Sequence, residues 1–281
     1  MTSLVPRLIA CFDVRDGLVT KGHSFQDNID IATVEELTRF VYDDQIDEVI
    51  VFDILASAER RGPDLDMVRR VSRQLFVPLC VGGGIRSVDD MHEVLAVGAE
   101  KISIDSAAVR NPDLISQGAK EFGSQAIVLS MQVKRVPPTK SIPSGYEIAI
   151  YGARKYTGID AVEWAVRGAK LGAGEICINS IDQDGTHSGF DLEVTRLVTN
   201  QVSVPVIASG GAGSASHIAA AFRDAGASAA IISSILYSPR IAQNLRVRTL
   251  KEQLNDLGIA LRPWVEATTN ITSLKETMID S

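Results

Sequence analysis

The sequence is poor in aromatics, cysteine, histidine and positive charge, and each shortage closes off a class of protein. Phe, Tyr and Trp make up 5% of the 281 residues. A core must therefore be built from Val, Ile, Leu and Ala, which suits a parallel sheet buried on both faces. The three cysteines, Cys11, Cys80 and Cys177, all fall inside apolar runs. An odd count without a spacing pattern offers no disulfide framework, so buried core thiols are expected. The four histidines, His23, His92, His187 and His217, show no metal-ligand spacing, and neither a metal nor a cofactor is expected. A net charge of −7 argues against nucleic acid or an anionic membrane as partner, because both need a basic surface. No apolar run approaches the ~18 residues of a membrane span. The N-terminal MTSLVPRLIACFDV lacks the pattern of a cleaved signal. A cytoplasmic location is expected.

What the sequence has is an internal repeat. Residues 77–106 read VPLCVGGGIRSVDDMHEVLAVGAEKISIDS, and residues 204–234 read VPVIASGGAGSASHIAAAFRDAGASAAIISS. Val77-Pro78 matches Val204-Pro205, Gly83-Gly84 matches Gly210-Gly211, and Ser106 matches Ser234. Each copy reads as strand, glycine turn, helix, strand. Without a Cβ the backbone can approach an anion and turn several N–H groups towards it, and a following helix N-terminus favours negative charge. One such turn is weak evidence. Two symmetric copies, each paired with a serine at the end of the next strand, point to a ligand with a phosphate at each end.

Apolar β-branched runs alternate with amphipathic segments along the whole chain. Strands are predicted near 7–13, 48–53, 78–82, 101–104, 126–132, 175–180, 205–209 and 229–233. Helices are predicted near 31–43, 62–74, 88–97, 111–120, 160–171, 191–200, 215–225 and 240–257. Strands alternating with helices of this length form βαβ units, and eight units close into a single α/β domain, a (β/α)₈ or TIM barrel. The expected organisation is a barrel over 1–262, made of half-barrels of about 1–123 and 124–262, followed by a polar tail over 263–281. Asp160 is the expected cap of one helix and Gly258 the expected stop of another. Residues 134–158 are the longest stretch read as irregular, and loops of that length are commonly functional.

Functional groups of such a barrel stand at the C-terminal ends of its strands. Here those positions hold Asp13, Asp53, Gly83-Gly84, Asp105-Ser106, Gln132, Asn179, Asp184-Gly185, Ser209-Gly210-Gly211 and Ser233-Ser234. His187, in DQDGTHSG, reads as a solvated loop residue, and Trp164 as core.

The segments RLIACFDVRDGLVTKG, FDILAS, VGGGIRS, RKYTGIDAVEWA, SIDQDGT and VPVIASGGAG resemble the cyclase subunit of imidazole glycerol phosphate synthase, from about Arg7 to Arg262. The resemblance implies a half-barrel-duplicated lyase of histidine biosynthesis. Such an enzyme joins ammonia to a bis-phosphorylated formimino-aminoimidazole-carboxamide ribonucleotide and releases imidazole glycerol phosphate. The ammonia comes through the barrel from a glutaminase subunit docked on the opposite face. On this resemblance Asp13 is one of two catalytic aspartates and Lys21 contacts substrate. Gly83 and Ser106 fall in one phosphate site, and Asp184, Gly185, Gly211 and Ser234 in the other. Arg7, Glu48, Lys101 and Glu175 match a charged ring that gates ammonia.

Two positions depart from the family pattern. Its second catalytic aspartate sits in a segment like IDAKR, where this chain reads MQVKR with Gln132. An amide does not exchange a proton near neutral pH, so it cannot be a general acid or base. The family also has Asn before the Ser or Thr at the end of the fourth strand, where this chain has Asp105. A pair Asn–Asp on adjacent strands has thus become Asp–Gln, and Asp105 is a candidate for the displaced proton transfer. Other readings remain open: a drifted paralogue, or recruitment to another ammonia-dependent step such as amidine or specialised-metabolite synthesis. A non-catalytic activator of a glutaminase is a further alternative, and retention of Asp13, Lys21 and both glycine turns argues against it.

Overall fold

Side chains alternate across a strand, so each barrel strand sends every second residue inwards and the rest towards the helices. In β1 (Arg7–Arg15) the inward set is Arg7, Ile9, Cys11 and Asp13, while Leu8, Ala10, Phe12 and Val14 join the large cluster under the helices. The computed structural model describes residues 5–23, 26–59, 61–238 and 244–262, with backbone alone at 21–23, 26–28, 57 and 58.

After β1 come a hairpin of β2 (Leu18–His23) and β3 (Gln26–Thr33), α1 (Val34–Asp43), β4 (Glu48–Asp53), the short α2 (Ala56–Glu59), α3 (Leu65–Ser72) and β5 (Leu79–Gly82). Next are α4 (Val88–Ala96), β6 (Lys101–Ile104), the short α5 (Ser106–Arg110), α6 (Asp113–Phe122) and β7 (Ile127–Arg135). A second hairpin, β8 (Tyr146–Ile150) and β9 (Lys155–Asp160), leads into α7 (Ala161–Leu171), β10 (Glu175–Ser180), α8 (Leu192–Thr199) and β11 (Val206–Ser209). The described chain ends with α9 (Ala215–Arg223), β12 (Ala229–Ile232), the short α10 (Ser234–Tyr237) and α11 (Val247–Asp256).

Eight parallel strands pair in the cyclic order β1-β4-β5-β6-β7-β10-β11-β12 and back to β1. This is the expected (β/α)₈ barrel. Every register joins inward residues to inward residues, for example Cys11 to Ile50, Cys177 to Ser130, and Asn179 to both Gln132 and Ser209. The helices close the outside with apolar stripes at helical spacing. In α1, Val34, Leu37, Thr38 and Val41 are the buried positions, and a Thr33–Glu36 capping box starts the helix.

Residues 134–158 differ from the expectation of an irregular loop. β7 runs on to Arg135, and β8 and β9 add two antiparallel strands to it. The apolar letters at Tyr146, Ile148 and Ile150 are the signal, and all three are buried, with Ala149 buried between the last two. Asp160 then caps α7, accepting from Val162 N at 2.9 Å and Glu163 N at 3.1 Å, while its other oxygen accepts from Ser144 N at 2.8 Å. One carboxylate thus fixes both the helix start and the loop that precedes the hairpin.

At the opposite end of the barrel α11 is fastened by a buried ion pair. Lys251 donates to Asp47 at 2.7 Å and to Gln45 O at 2.8 Å, and it is 2% exposed. The three cysteines are buried and free, and Trp164 is core, as expected. Among the described residues no helix is long and apolar enough to cross a membrane. The tail 263–281 lies outside the described residues.

Candidate active site at the barrel mouth

The inward rows end at the C-terminal rim in Asp13, Asp105, Gln132, Asn179, Ser209 and Ser233, from six of the eight strands. Four of these form a hydrogen-bonded chain. Ser209 Oγ donates to Asn179 Oδ1 at 3.0 Å, Asn179 Nδ2 donates to Gln132 Oε1 at 2.8 Å, and Gln132 hydrogen-bonds the Asp105 carboxyl. With its Oε1 occupied as acceptor, the Gln132 amide nitrogen is the donor to Asp105. Asp105 Oδ1 is enclosed and has no hydrogen-bond partner. Burial pushes the Asp105 carboxyl up to about 7, with the Gln132 hydrogen bond pulling the other way.

The two glycine turns match in local geometry. Gly83 and Gly84 have φ of +94° and +76°, and Gly210 and Gly211 have +90° and +100°. Ser87 and Ser214, a few residues on, cap α4 and α9 in extended conformations, accepting from Asp90 N and His217 N. The residues before the two short helices share a second unusual conformation, φ −126° and ψ −98° at Asp105 and φ −134° and ψ −79° at Ser233. Close packing also demands the glycines. A Cβ on Gly83 would lie 2.3 Å from Asp53 O, and one on Gly211 2.0 Å from Gly189 O.

The serines beyond each turn are both engaged. Ser106 Oγ accepts from Tyr151 N at 2.9 Å, from the turn between β8 and β9. Ser234 Oγ and His187 Nε2 are 2.7 Å apart. His187 is therefore drawn over the second glycine turn, which corrects its reading as a solvated loop residue. Its φ of +56° is the local conformation that the loop adopts there. Neither contact was visible in the sequence, because both bridge distant loops. Asp184 and Gly185 follow β10 in the same loop, with Gly185 at φ +73° and Asp184 N donating to Ser180 O.

Asp53 does not join this cluster. It follows Val49 and Val51 on the helix-facing side of β4, whereas Glu48, Ile50 and Phe52 point inwards. Arg61 grips it through two nitrogens at 2.5 and 2.9 Å, and its Oδ1 also accepts from Leu55 N and Ala56 N. It lines a side cavity of about 700 Å³ with Asp16, Arg61 and Asp64. The Lys21 side chain lies outside the described residues, although its backbone belongs to β2. Among the described residues, no group of three His, Cys, Asp or Glu side chains is placed to hold a metal ion.

At the other end of the barrel the first inward residues of β1, β4, β6 and β10 form a closed ring of alternating charge. Arg7 donates to Glu48 at 2.6 Å and to Glu175 at 2.7 Å, while Lys101 donates to Glu48 at 2.9 Å and to Glu175 at 3.1 Å. Glu48 is fully buried, and burial raises its carboxyl above the usual range against the opposing pull of Lys101 and Arg7. Each charge has two partners of opposite sign, the arrangement that makes buried charges tolerable.

A (β/α)₈ barrel with a polar mouth, paired glycine turns and a charged ring at its far end defines a class of two-ended barrel. The sequence model of the histidine biosynthesis protein family matches residues 7–242. The chain is 51% identical to imidazole glycerol phosphate synthase subunit HisF of Syntrophobacter fumaroxidans over 92% of this chain and 98% of the relative. The subunit of the same name from Oleidesulfovibrio alaskensis is also 51% identical over the same shares. That from Desulfatibacillum aliphaticivorans is 49% identical over 94% of this chain and all of the relative. The chain belongs to the histidine biosynthesis protein family, among its HisF-like cyclase subunits.

Proposed function

We propose that the protein is an ammonia-dependent cyclase of the imidazole glycerol phosphate synthase type, working in the cytoplasm as the partner of a glutaminase. The observation that carries this reading is a barrel interior with two polar ends. The charged ring stands below, the hydrogen-bonded mouth above, and inward side chains of the same strands pack between them. The name of its relatives supplies the product, imidazole glycerol phosphate, and the family resemblance implies the rest of the reaction: a bis-phosphorylated formimino-aminoimidazole-carboxamide ribonucleotide and ammonia as reactants, with the aminoimidazole-carboxamide ribonucleotide as second product. Three buried free thiols suit a reducing compartment.

In this reading the chain is two half-barrels, about 1–123 and 124–262, each supplying one phosphate site. Gly83, Gly84 and Ser106 hold one phosphate at the start of α4, and Gly210, Gly211, Asp184, Gly185, Ser233 and Ser234 hold the other at the start of α9. The nine-residue helices α4 and α9 direct their positive ends to these places. Asp13, on the inner face of β1, acts in proton transfer at the substrate, and Lys21 takes the substrate-contacting role that the resemblance implies. Asn179 and Ser209 fix the mouth. Arg7, Glu48, Lys101 and Glu175 admit ammonia delivered from the glutaminase on that face.

The test is turnover of the bis-phosphorylated substrate by purified protein with ammonium salt as nitrogen source. Release of imidazole glycerol phosphate is the expected result. The presence of Gln132 on the inner face of β7 favours one second reading, ammonia transfer to a different phosphorylated substrate. Absence of turnover, with phosphate-competed binding of the substrate retained, would replace the cyclase reading with that one.

A further inference from the structure

Neither phosphate binding nor gating explains why the hydroxyl groups of the barrel interior below the rim all stand on one wall, interrupted there only by Val128. On β6 the inward residues are Lys101 and Ser103, followed by Asp105. β7 contributes Ser130 and Gln132 above Val128, and β10 contributes Glu175, Cys177 and Asn179. Ser103 Oγ and Ser130 Oγ are 2.6 Å apart and 3% and 4% exposed, and the Cys177 thiol hydrogen-bonds Ser130. The opposite wall carries no hydroxyl: it is built from Ile9, Ile50, Phe52, Ile207, Ala229 and Ile231, with the thiols of Cys11 and Cys80 among them. A polar seam therefore climbs from the charged ring, and it ends at a carboxyl with one enclosed, unpartnered oxygen.

We infer that Asp105 is the catalytic proton-transfer group for ammonia arriving along this seam, with Ser209, Asn179 and Gln132 as the positioning residues that hold its carboxyl. The inference rests on the ammonia-dependent reading above. Ammonia is a small molecule that both donates and accepts hydrogen bonds, so a wall bearing hydroxyl and thiol groups suits its passage better than an apolar tube does. At the rim it meets Asp105 first on that wall. Gln132 beside it cannot exchange protons near neutral pH, yet as a fixed donor it holds the carboxyl and leaves Oδ1 enclosed and without a partner.

The step balances without any further reactant. The ammonia nitrogen attacks an electrophilic carbonyl carbon, the N–C bond forms and the carbonyl π pair moves to oxygen. Asp105 takes a proton from nitrogen and hands it to that oxygen. In the loss of water that follows, the carboxyl removes a second nitrogen proton and delivers it to the departing hydroxyl. Carbonyl and ammonia become imine and water, and the carboxyl ends unchanged.

The surroundings leave Asp105 without a charged partner to hold it ionised. Its shift has two causes, burial and the Gln132 hydrogen bond. Lys101 lies two inward positions below and is engaged by Glu48 and Glu175. On β10 the nearest titratable group is Cys177, whose thiol burial pushes up to about 12. β5 ends in glycines, and the β8–β9 turn presents the Tyr151 backbone, with Arg110 lying 5.7 Å over the Tyr151 ring. A carboxyl titrating near neutrality can both take and return a proton at working pH.

The experiment pairs kinetics with a measurement that needs no substrate. Ammonia-dependent kcat/KM, corrected for free ammonia, is expected to show a limb near pH 7 in the native protein. Asp105→Asn should abolish that limb and lower the rate by roughly 10²–10⁴-fold, the usual contribution of a general acid or base. Asp105→Asn combined with Gln132→Asp should recover a large part, because neighbouring groups sharing one role couple strongly. Infrared difference spectra of native protein against Asp105→Asn, taken across pH 5–9, should show a protonated carboxyl that ionises near 7. Gln132→Leu should move this ionisation upwards. A carboxyl already ionised at pH 5, or an unchanged rate and limb in Asp105→Asn, would overturn the inference. The infrared result stands whether or not the native protein turns over the expected substrate, so the two readings fail separately.

Discussion

Asp105 makes a claim on stability as well as on chemistry. An aspartate in an unfolded chain ionises near 3.9, whereas the folded one holds its proton to about 7. Between those values the folded state binds more protons than the unfolded state. Stability therefore falls as pH rises from about 4 to about 7, then levels off. The Asp105→Asn variant loses this slope. Urea unfolding should show it close to the native protein near pH 4.5 and more stable at pH 8, by an amount bounded by roughly 4 kcal/mol at 1.36 kcal/mol per pKa unit. Equal pH slopes in the two proteins would mean that the carboxyl is ionised in the fold. At this scale the sequence was half legible. The strand ends pointed to Asp13, Gln132, Asn179 and Ser209, which the barrel does turn inwards. The same reasoning included Asp53, because a run of apolar letters does not reveal which face its last residue takes when both faces are buried.

Elements were read more securely than residues. All eight barrel strands and the eight long helices stand where apolar runs and helical spacing placed them, with boundaries shifted by a few residues; of the helix predicted over 240–257, positions 240–243 lie outside the described residues and α11 covers Val247–Asp256. The two hairpins were missed for different reasons. β2 and β3 carry mixed, largely polar sequences such as LVTKGH and QDNIDIAT, whose pairing is set by β1 rather than by their own pattern. β8 alternates at Tyr146, Ile148 and Ile150, but five residues inside a long stretch read as one irregular loop carry too short a pattern to stand out, and β9 is largely exposed. The β8–β9 hairpin has its own anchor in Asp160, which is 2% exposed. Asp160→Ala removes a helix cap, at about 0.5–2 kcal/mol, and strands Ser144 N as well, for a further ~1–3 kcal/mol. Chemical denaturation should therefore show a loss of about 2–4 kcal/mol, and Asp160→Ser should recover the cap alone. A loss under 0.5 kcal/mol would mean that water replaces both contacts.

For the whole molecule, the four members of the charged ring are far apart in sequence and are joined only by closure of the barrel. Arg7 and Glu175 are 168 positions apart and meet at 2.7 Å. In the proposed complex the ring separates two nitrogen sources: glutamine acts from below and free ammonia from the mouth. Lys101→Met should lower glutamine-driven turnover at least several-fold more than ammonia-driven turnover, measured on the same preparation with the glutaminase present. Equal losses would locate the damage in the fold, since Glu48 would keep Arg7 as its one cation. That the four charges form a ring was not readable from their spacing. It needed the resemblance to a known family, and the barrel registers then bring them together.

The alternation of inward and outward residues has a further consequence for how such a protein changes over time. The letters that face the helices and the letters that face the barrel interior are interleaved but physically independent, like two messages written on alternate lines. A substitution on the inward line meets its neighbours across the strands, not the helix beneath it. Functional groups at one height can therefore be dealt out anew among adjacent strands, a carboxyl here for an amide there, while the helix layer registers no difference. Asp105 and Gln132 read as one such redealing. By the same logic, inserting or deleting a single residue within a barrel strand would exchange the two messages and destroy both together.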